Sequence, residues 1–177
     1  MRLDLKPVTA LTDEERAALR ALTEAVYPPE SLAASPGRSV RWAPVQWSIL
    51  VWVEEVLVAH AGLVVREGAL DGAPVTIGGV GSVKTHPRCE GQGYASAALR
   101  CAATALETDH HVVFSLLVCQ SHLLPFYARL GWRAFPGQLV VEQPDGPRVF
   151  TVNQPMVLGG LRPPPGDGVI DLRGMPW

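Results

Sequence analysis

The stretch Arg88-Cys89-Glu90-Gly91-Gln92-Gly93 constrains this chain more than any other. It follows a β-like run, Val80 to Thr85, and the pair His86-Pro87, and it opens a helical run from Tyr94 to Ala103. A strand, a glycine turn and a helix start, in that order, make an anion site. The first backbone N–H groups of a helix have no partner inside it, and the aligned peptide dipoles favour negative charge there. Gly91 and Gly93 lack a Cβ and tolerate positive φ, so the backbone can come close to a ligand. The ligand expected at such a turn is a phosphate or pyrophosphate. A nucleotide P-loop is a poor match, because Gly93-Tyr94-Ala95 has no lysine for the β- and γ-phosphates. A dinucleotide fold places its glycines directly after the first strand of a βαβ unit, whereas these lie mid-chain. A glycine-rich turn with no ligand is the plain alternative.

Bulk properties narrow the class. A chain of 177 residues fits one domain, 1–177, with enough length to bury a core. The net charge of −2 argues against a nucleic-acid partner, which needs a basic face. No apolar run is long enough for a membrane span, and Met1 to Pro7 has no apolar leader block. Cys89, Cys101 and Cys119 form neither a Cys-x-x-Cys pair nor an even set, which reads as reduced thiols in a cytoplasm. Nothing suggests a metal site. The oligomeric state, including a homodimer, stays open.

Along the chain, residues 3–9 read as a short strand. Thr12-Asp13-Glu14-Glu15 is a capping-box pattern, and Leu19, Leu22 and Val26 carry a helix to about Tyr27. Pro28-Pro29 stops it, and 28–46 reads as a long loop with room for a short helix. Strands are expected at 47–53, 56–66 and 75–85, with Asp71-Gly72 as a hairpin turn and Gly78, Gly79 and Gly81 as signs of a bulge or a close backbone approach. A helix at 92–108, a buried strand at 112–118 and a helix at 122–130 follow. β-like runs at 132–135, 138–142 and 148–158 precede an extended Pro-Gly segment, 162–168, and a last apolar run, 169–172. The order is α/β with a mixed sheet: antiparallel strands before the glycine loop, a parallel crossover after it.

A second motif sharpens the ligand. Phe126-Tyr127-Ala128-Arg129-Leu130-Gly131-Trp132 ends a helix at a glycine and enters a strand at a tryptophan. Together the two motifs, within residues 77–135, resemble the GCN5-related N-acetyltransferase (GNAT) superfamily. The resemblance implies a GNAT-like acyl-coenzyme A N-acyltransferase fold, with acetyl-coenzyme A as co-substrate and its pyrophosphate on the loop. It implies coenzyme contacts from Val83, Lys84 and Thr85 on the strand, and from Arg88, Glu90, Gly91, Gln92, Gly93, Tyr94, Ala95 and Ser96 in the loop and first helical turn. It also implies that Tyr127 stands beside the coenzyme sulfur.

Transfer to an amine sets three tasks: a neutral nucleophile, a stabilised oxyanion and a departing thiolate. A backbone N–H near Val83 to Thr85 suits the oxyanion. The same strand edge suits pairing with the pantetheine amides. Tyr127 is the candidate general acid, since a phenol near pKa ~10 can protonate a developing thiolate whose thiol lies near ~8.5. The base is the gap. Related enzymes use a carboxylate on the strand before the loop, where this chain has Gly81. His60, His86, Glu54 and Glu55 are the substitutes on offer; His60 reads as a core histidine and His86 as a turn residue. Cys89, facing phosphate and with no adjacent histidine, is a poor nucleophile.

Val58-Ala59-His60-Ala61, Arg148-Val149-Phe150 and the ending Asp171-Leu172-Arg173-Gly174-Met175-Pro176-Trp177 look like the aminoglycoside 2′-N-acetyltransferases. That resemblance places the tail, 160–177, in the substrate site, with the terminal carboxylate on Trp177. Two departures, Gly81 and Met175 in place of acidic residues, weaken the attraction for a multiply charged amine. Trp42, Trp47 and Trp52 suggest instead an aromatic, less charged acceptor pocket. The acceptor is therefore a small-molecule primary amine, with an aminoglycoside as one candidate and a peptide amine as another. A catalytically silent acyl-coenzyme A binding module is the contrasting class.

Overall fold

The computed structural model describes residues 1–28, 36–162 and 165–177. Three helices and ten strands are described: β1 Arg2–Pro7, α1 Asp13–Val26, β2 Trp47–Val53, β3 Val56–Leu70, β4 Ala73–Thr85, α2 Tyr94–Thr108, β5 Phe114–Cys119, α3 Leu124–Ala128, β6 Arg133–Ala134, β7 Gln138–Gln143, β8 Gly146–Val149, β9 Gln154–Gly159 and β10 Val169–Asp171. No helix among the described residues is long and apolar enough to cross a membrane.

The local signals act as expected where the chemistry is short-range. Thr12 Oγ1 accepts from Glu15 N at 3.2 Å, and Glu15 returns the bond to Thr12 N at 2.9 Å, so the capping box forms. The Lys6 ammonium, 2.5 Å from Glu15, and the Thr12 N–H hold the Glu15 carboxyl below its ordinary range. Leu22 on α1 packs with Leu11, Leu50, Trp52 and Leu57. Asp71 and Gly72 both have positive φ, 50° and 83°, as a two-residue hairpin turn of the primed type requires.

The sheet runs β6-β9-β5-β4-β3-β10-β7-β8. The length of β3 lets it serve two neighbours on one side: β2 along Val56–Leu63 and β10 at Ala69 and Leu70. β1 to β4 pair antiparallel in succession, and α2 makes the crossover to β5, which lies parallel to β4. Ala98, Leu99, Ala102, Ala105 and Leu106 of α2 press on Ile49, Val51, Ala59, Ala61, Leu63 and Val80. The small residues of α2 let the helix sit close to the strands. A second apolar cluster gathers Val64, Ile77, Phe114, Leu116, Leu139, Ile170 and Trp177.

Several expected bounds change. The run 148–158 is two strands: β8 pairs with β7 at one edge of the sheet, and β9 pairs with β5 near the other. A chain that changes sheet edge cannot remain one strand, and residues 150–153 make the crossing. The helix expected at 122–130 shrinks to Leu124–Ala128 behind a 3-10 turn, Ser121–Leu123. Within the loop expected at 28–46, Pro36–Ser39 forms a 3-10 turn, and residues 29–35 lie outside the described residues. The tail is no loose appendage: β10 sits between β3 and β7, and Leu172 and Gly174 continue the hydrogen bonding alongside β7.

Candidate functional site

The chain leaves β4, makes a 3-10 turn at Pro87–Cys89 and reaches Gly91 and Gly93 at φ of 73° and 85°. A side chain at either glycine would meet nothing among the described residues within 4 Å. Gly93 is the N-cap of α2 and supplies no side-chain cap, so the first-turn N–H groups stay available to a ligand. The turn braces itself. His86 Nδ1 accepts from Arg88 N at 3.2 Å, Gln92 Nε2 donates to Arg88 O at 3.4 Å, and the Tyr94 hydroxyl donates to Gln92 Oε1 at 3.2 Å.

From this turn a cleft of about 720 Å³ runs to α3. Of the expected coenzyme contacts, Val83, Lys84, Thr85, Glu90, Gly91, Gly93, Tyr94, Ala95 and Ser96 line it, and so does Tyr127. Arg88 and Gln92 do not line it; the backbone of Arg88 and the side-chain amide of Gln92 take part in the bracing bonds. The cleft adds Arg100, Arg129, Phe126, Leu123 and Leu130, which the sequence reading missed. Arg100 follows Gly93 at a heptad spacing, which puts it on the same helix face, and Arg129 lies inside the second motif. Both signals were present. Two guanidinium groups suit a phosphate-rich ligand.

Tyr127 is 6% exposed, with Phe126 and Trp132 edge-on at ring-centroid distances of 5.0 and 6.4 Å. Burial, helped by Cys119 and Tyr27, pushes its phenol well above the ordinary value, so it stays protonated. Gly131 at φ 89° turns the chain, and Trp132 N returns to Tyr127 O at 3.2 Å, which fixes the tyrosine backbone.

Behind the cleft, β4 and β5 pair through Ile77–Gly79 and Phe114–Leu116, and past that register they part. Trp177 fills the angle. Its indole N–H donates to Leu116 O at 3.0 Å, and the residue is 5% exposed. A Cβ on Gly79 would fall inside the indole, and one on Gly81 would lie 2.8 Å from the Trp177 carboxyl carbon. The Arg66 guanidinium stands 5.4 Å from the indole centroid and donates to Met175 O at 2.8 Å, while Ala43 N donates to Pro176 O at 2.6 Å. Gly81 and Trp177 are thus brought together, although neither lines the cleft. These glycines mark close approach; the bulge of β4 falls just beyond them. The β3–β4 register passes from His60↔Lys84 to Gly62↔Gly81, so Ala61 faces both Ser82 and Val83.

The other candidate bases are committed elsewhere. His60 is buried, and burial, with Lys84 across the strand pair, pushes its imidazole down to about 4. His86 Nδ1 is used in the turn. Glu54 and Glu55 occupy the β2–β3 turn and line neither described cavity. A second cavity of about 420 Å³ lies against α1, with Arg16, Arg20, Glu24 and Ser48 on its wall. Lys84 borders both cavities, and burial pushes its ammonium below the ordinary value. The three tryptophans do not form one aromatic pocket: Trp42 packs on Phe150, Trp47 on His110, and Trp52 under Arg2. Trp47 and Trp52 stand at opposite ends of β2 and Trp42 lies before it, each with separate neighbours.

A family model described as an acetyltransferase (GNAT) domain matches residues 7–135. Solved structures match across most of the chain. An acyl-CoA N-acyltransferase from Pseudomonas aeruginosa is 21% identical with a TM-score of 0.62, covering 89% of this chain and 99% of that one. The Escherichia coli GNAT family N-acetyltransferase YhbS, in complex with CoA, is 11% identical with a TM-score of 0.61, covering 98% and 91%. A GNAT family acetyltransferase from Brucella melitensis, in complex with acetyl-CoA, is 16% identical with a TM-score of 0.57, covering 96% and 94%. At these identities the likeness is one of fold. No curated protein matches the chain.

Proposed function

The chain belongs to the GNAT acetyltransferase family, and on that premise we propose that it transfers the acetyl group of acetyl-coenzyme A to the primary amine of a small molecule. The observation that carries this reading is the single cleft that joins the uncapped start of α2 to Tyr127. Residues Gly91 to Ser96 hold the pyrophosphate through backbone N–H groups, with Arg100 and Arg129 as cations for the remaining phosphate charge. Val83 to Thr85 bind the pantetheine amides, and a backbone N–H of the bulge faces the thioester oxygen.

The attacking amine adds to the thioester carbon and the oxyanion forms. It collapses with loss of the thiolate, which takes its proton from the Tyr127 hydroxyl. Desolvation keeps that hydroxyl protonated until the thiolate develops. The missing acid of β4 has a spatial replacement. The α-carboxylate of Trp177 occupies the space that a side chain at Gly81 would take. In this reading it takes one proton from the incoming ammonium, leaving the neutral amine that attacks, and the second proton, lost from nitrogen on acylation, restores the Tyr127 phenol. One carboxylate, with the Arg66 guanidinium close to the same residue's indole, suits an amine of low charge; an aminoglycoside is the multiply charged member of the class to set against it.

Thiol release from acetyl-coenzyme A, measured across monoamines, polyamines, aminoglycosides and peptide amines, tests the reading. Amine-dependent release with an acetylated product supports it. Coenzyme binding without release by any amine would make the protein a silent binding module. Extending the chain past Trp177 turns its carboxylate into a neutral amide. The Michaelis constant for the amine should then rise about tenfold, as for loss of a charged contact, with coenzyme affinity unchanged. Unaltered kinetics would remove the carboxylate from the site.

A further inference from the structure

His60 and Ser48 are buried together beneath the β4 bulge. The imidazole Nδ1 lies 2.8 Å from Ser82 O, and Nε2 lies 3.1 Å from Ser48 Oγ. A carbonyl oxygen only accepts, so Nδ1 carries the proton. Nε2 is then the acceptor, and the Ser48 hydroxyl donates to it. One tautomer satisfies both ring nitrogens. The lowered pKa of His60, about 4, agrees with a ring that stays neutral.

Ser82 takes φ of 50°, a conformation that residues with a Cβ rarely adopt. A bulge at this point re-aims the strand. The carbonyl of Ser82 and the N–H of Val83 belong to one peptide unit. That unit is trans, so the two groups point in opposite directions. The carbonyl points at His60, and Val83 lines the cleft.

We propose that His60 is a positioning residue for acetyl transfer: by donating Nδ1–H to Ser82 O, it fixes the Ser82–Val83 peptide plane so that the Val83 N–H faces the thioester oxygen. The proposal rests on the acetyl-transfer reading above. A carbonyl that accepts a hydrogen bond also makes the N–H of its own peptide a stronger donor. That N–H meets more charge in the oxyanion than in the ground-state carbonyl, so its orientation acts on kcat more than on KM. Ser48 selects the tautomer that makes this work.

Two polar variants separate positioning from bulk stability. His60→Asn keeps an N–H near the Nδ1 position and the bond to Ser82 O. His60→Gln places its amide near Nε2, toward Ser48, and loses that bond. For the best amine of the panel, His60→Gln should lower kcat at least about tenfold, a fraction of what removing an oxyanion donor outright costs. KM for acetyl-coenzyme A and affinity for coenzyme A should hold, and His60→Asn should recover most of the loss. In the unliganded protein, the Val83 amide proton resonance should move upfield in His60→Gln and return in His60→Asn. Equal kcat in the two variants, or an unmoved Val83 resonance, would overturn the proposal. Failure of the acetyl-transfer reading looks different: the wild-type protein releases no thiol with any amine, and the Val83 resonance then decides the positioning role alone.

Discussion

The glycine loop before α2 and the wedge at Trp177 both depend on pairs of glycines, and they use glycine for opposite reasons. Gly91 and Gly93 need positive φ and face open space, which is what an external ligand requires. Gly79 and Gly81 sit in a strand, and the space beside them is filled by the last residue of the chain. One pair keeps room for another molecule; the other gives its room to the protein itself. A substitution should therefore harm binding in the first region and folding in the second.

The largest expected effect is in the wedge. Trp177→Ala removes a buried indole and its bond to Leu116 O, and should cost about 3–5 kcal/mol in denaturant unfolding. A cost below ~1 kcal/mol would mean that the tail is not part of the core, and the contrast would collapse.

Next comes the bulge that lies between the two regions. The folded-state pKa of His60, about 4, is below its ordinary 6.5. The unfolded chain therefore binds the proton more readily than the folded one. The stability contribution is complete above pH 6.5 and drains as pH falls toward 4, on the order of 3 kcal/mol in all. Unfolding free energies across that window check it, with His60→Asn as the variant that should flatten the slope.

Tyr127 shares a cleft with the loop and packs in a different apolar cluster from Trp177. Tyr127→Phe should lower kcat about 100-fold, the low end for loss of a general acid, while coenzyme binding and stability persist. Undiminished turnover would sink the acid role.

The smallest effects draw the comparison most sharply. Gly91→Val strains an exposed turn that can relax without unfolding, so coenzyme A affinity should fall at least about tenfold, read by calorimetry. Gly79→Ala should do the reverse. Its methyl overlaps the indole, costing about 1–3 kcal/mol of stability with less loss of coenzyme affinity. Reversed outcomes would mean that the two glycine pairs had been assigned to the wrong roles.

Much of the first region was legible in the residues. Arg88 to Gly93 between a strand and a helix, the Phe126 to Trp132 segment, the Thr12–Glu15 capping box and the Asp71-Gly72 hairpin are local patterns whose physics closes within a few residues. The second region was legible only in pieces. Gly81 read as a missing acid, because a sequence does not say that residue 177 will end where residue 81 leaves space. His60 read as a core histidine, which is where it lies, but its partners Ser48 and Ser82 come from two other strands. The break between β8 and β9 stayed hidden for the same reason: strand partners across a sheet leave no local mark.

The sequence by itself determined the glycine turn, the order of strands and helices around it and the tyrosine across the cleft, because adjacent residues carry those constraints through backbone dihedrals, capping and periodicity. Tertiary structure alone decided that Trp177 fills the space beside Gly79 and Gly81, and which peptide plane the bulge presents. Each of those depends on groups far apart in the chain that meet only in the folded sheet.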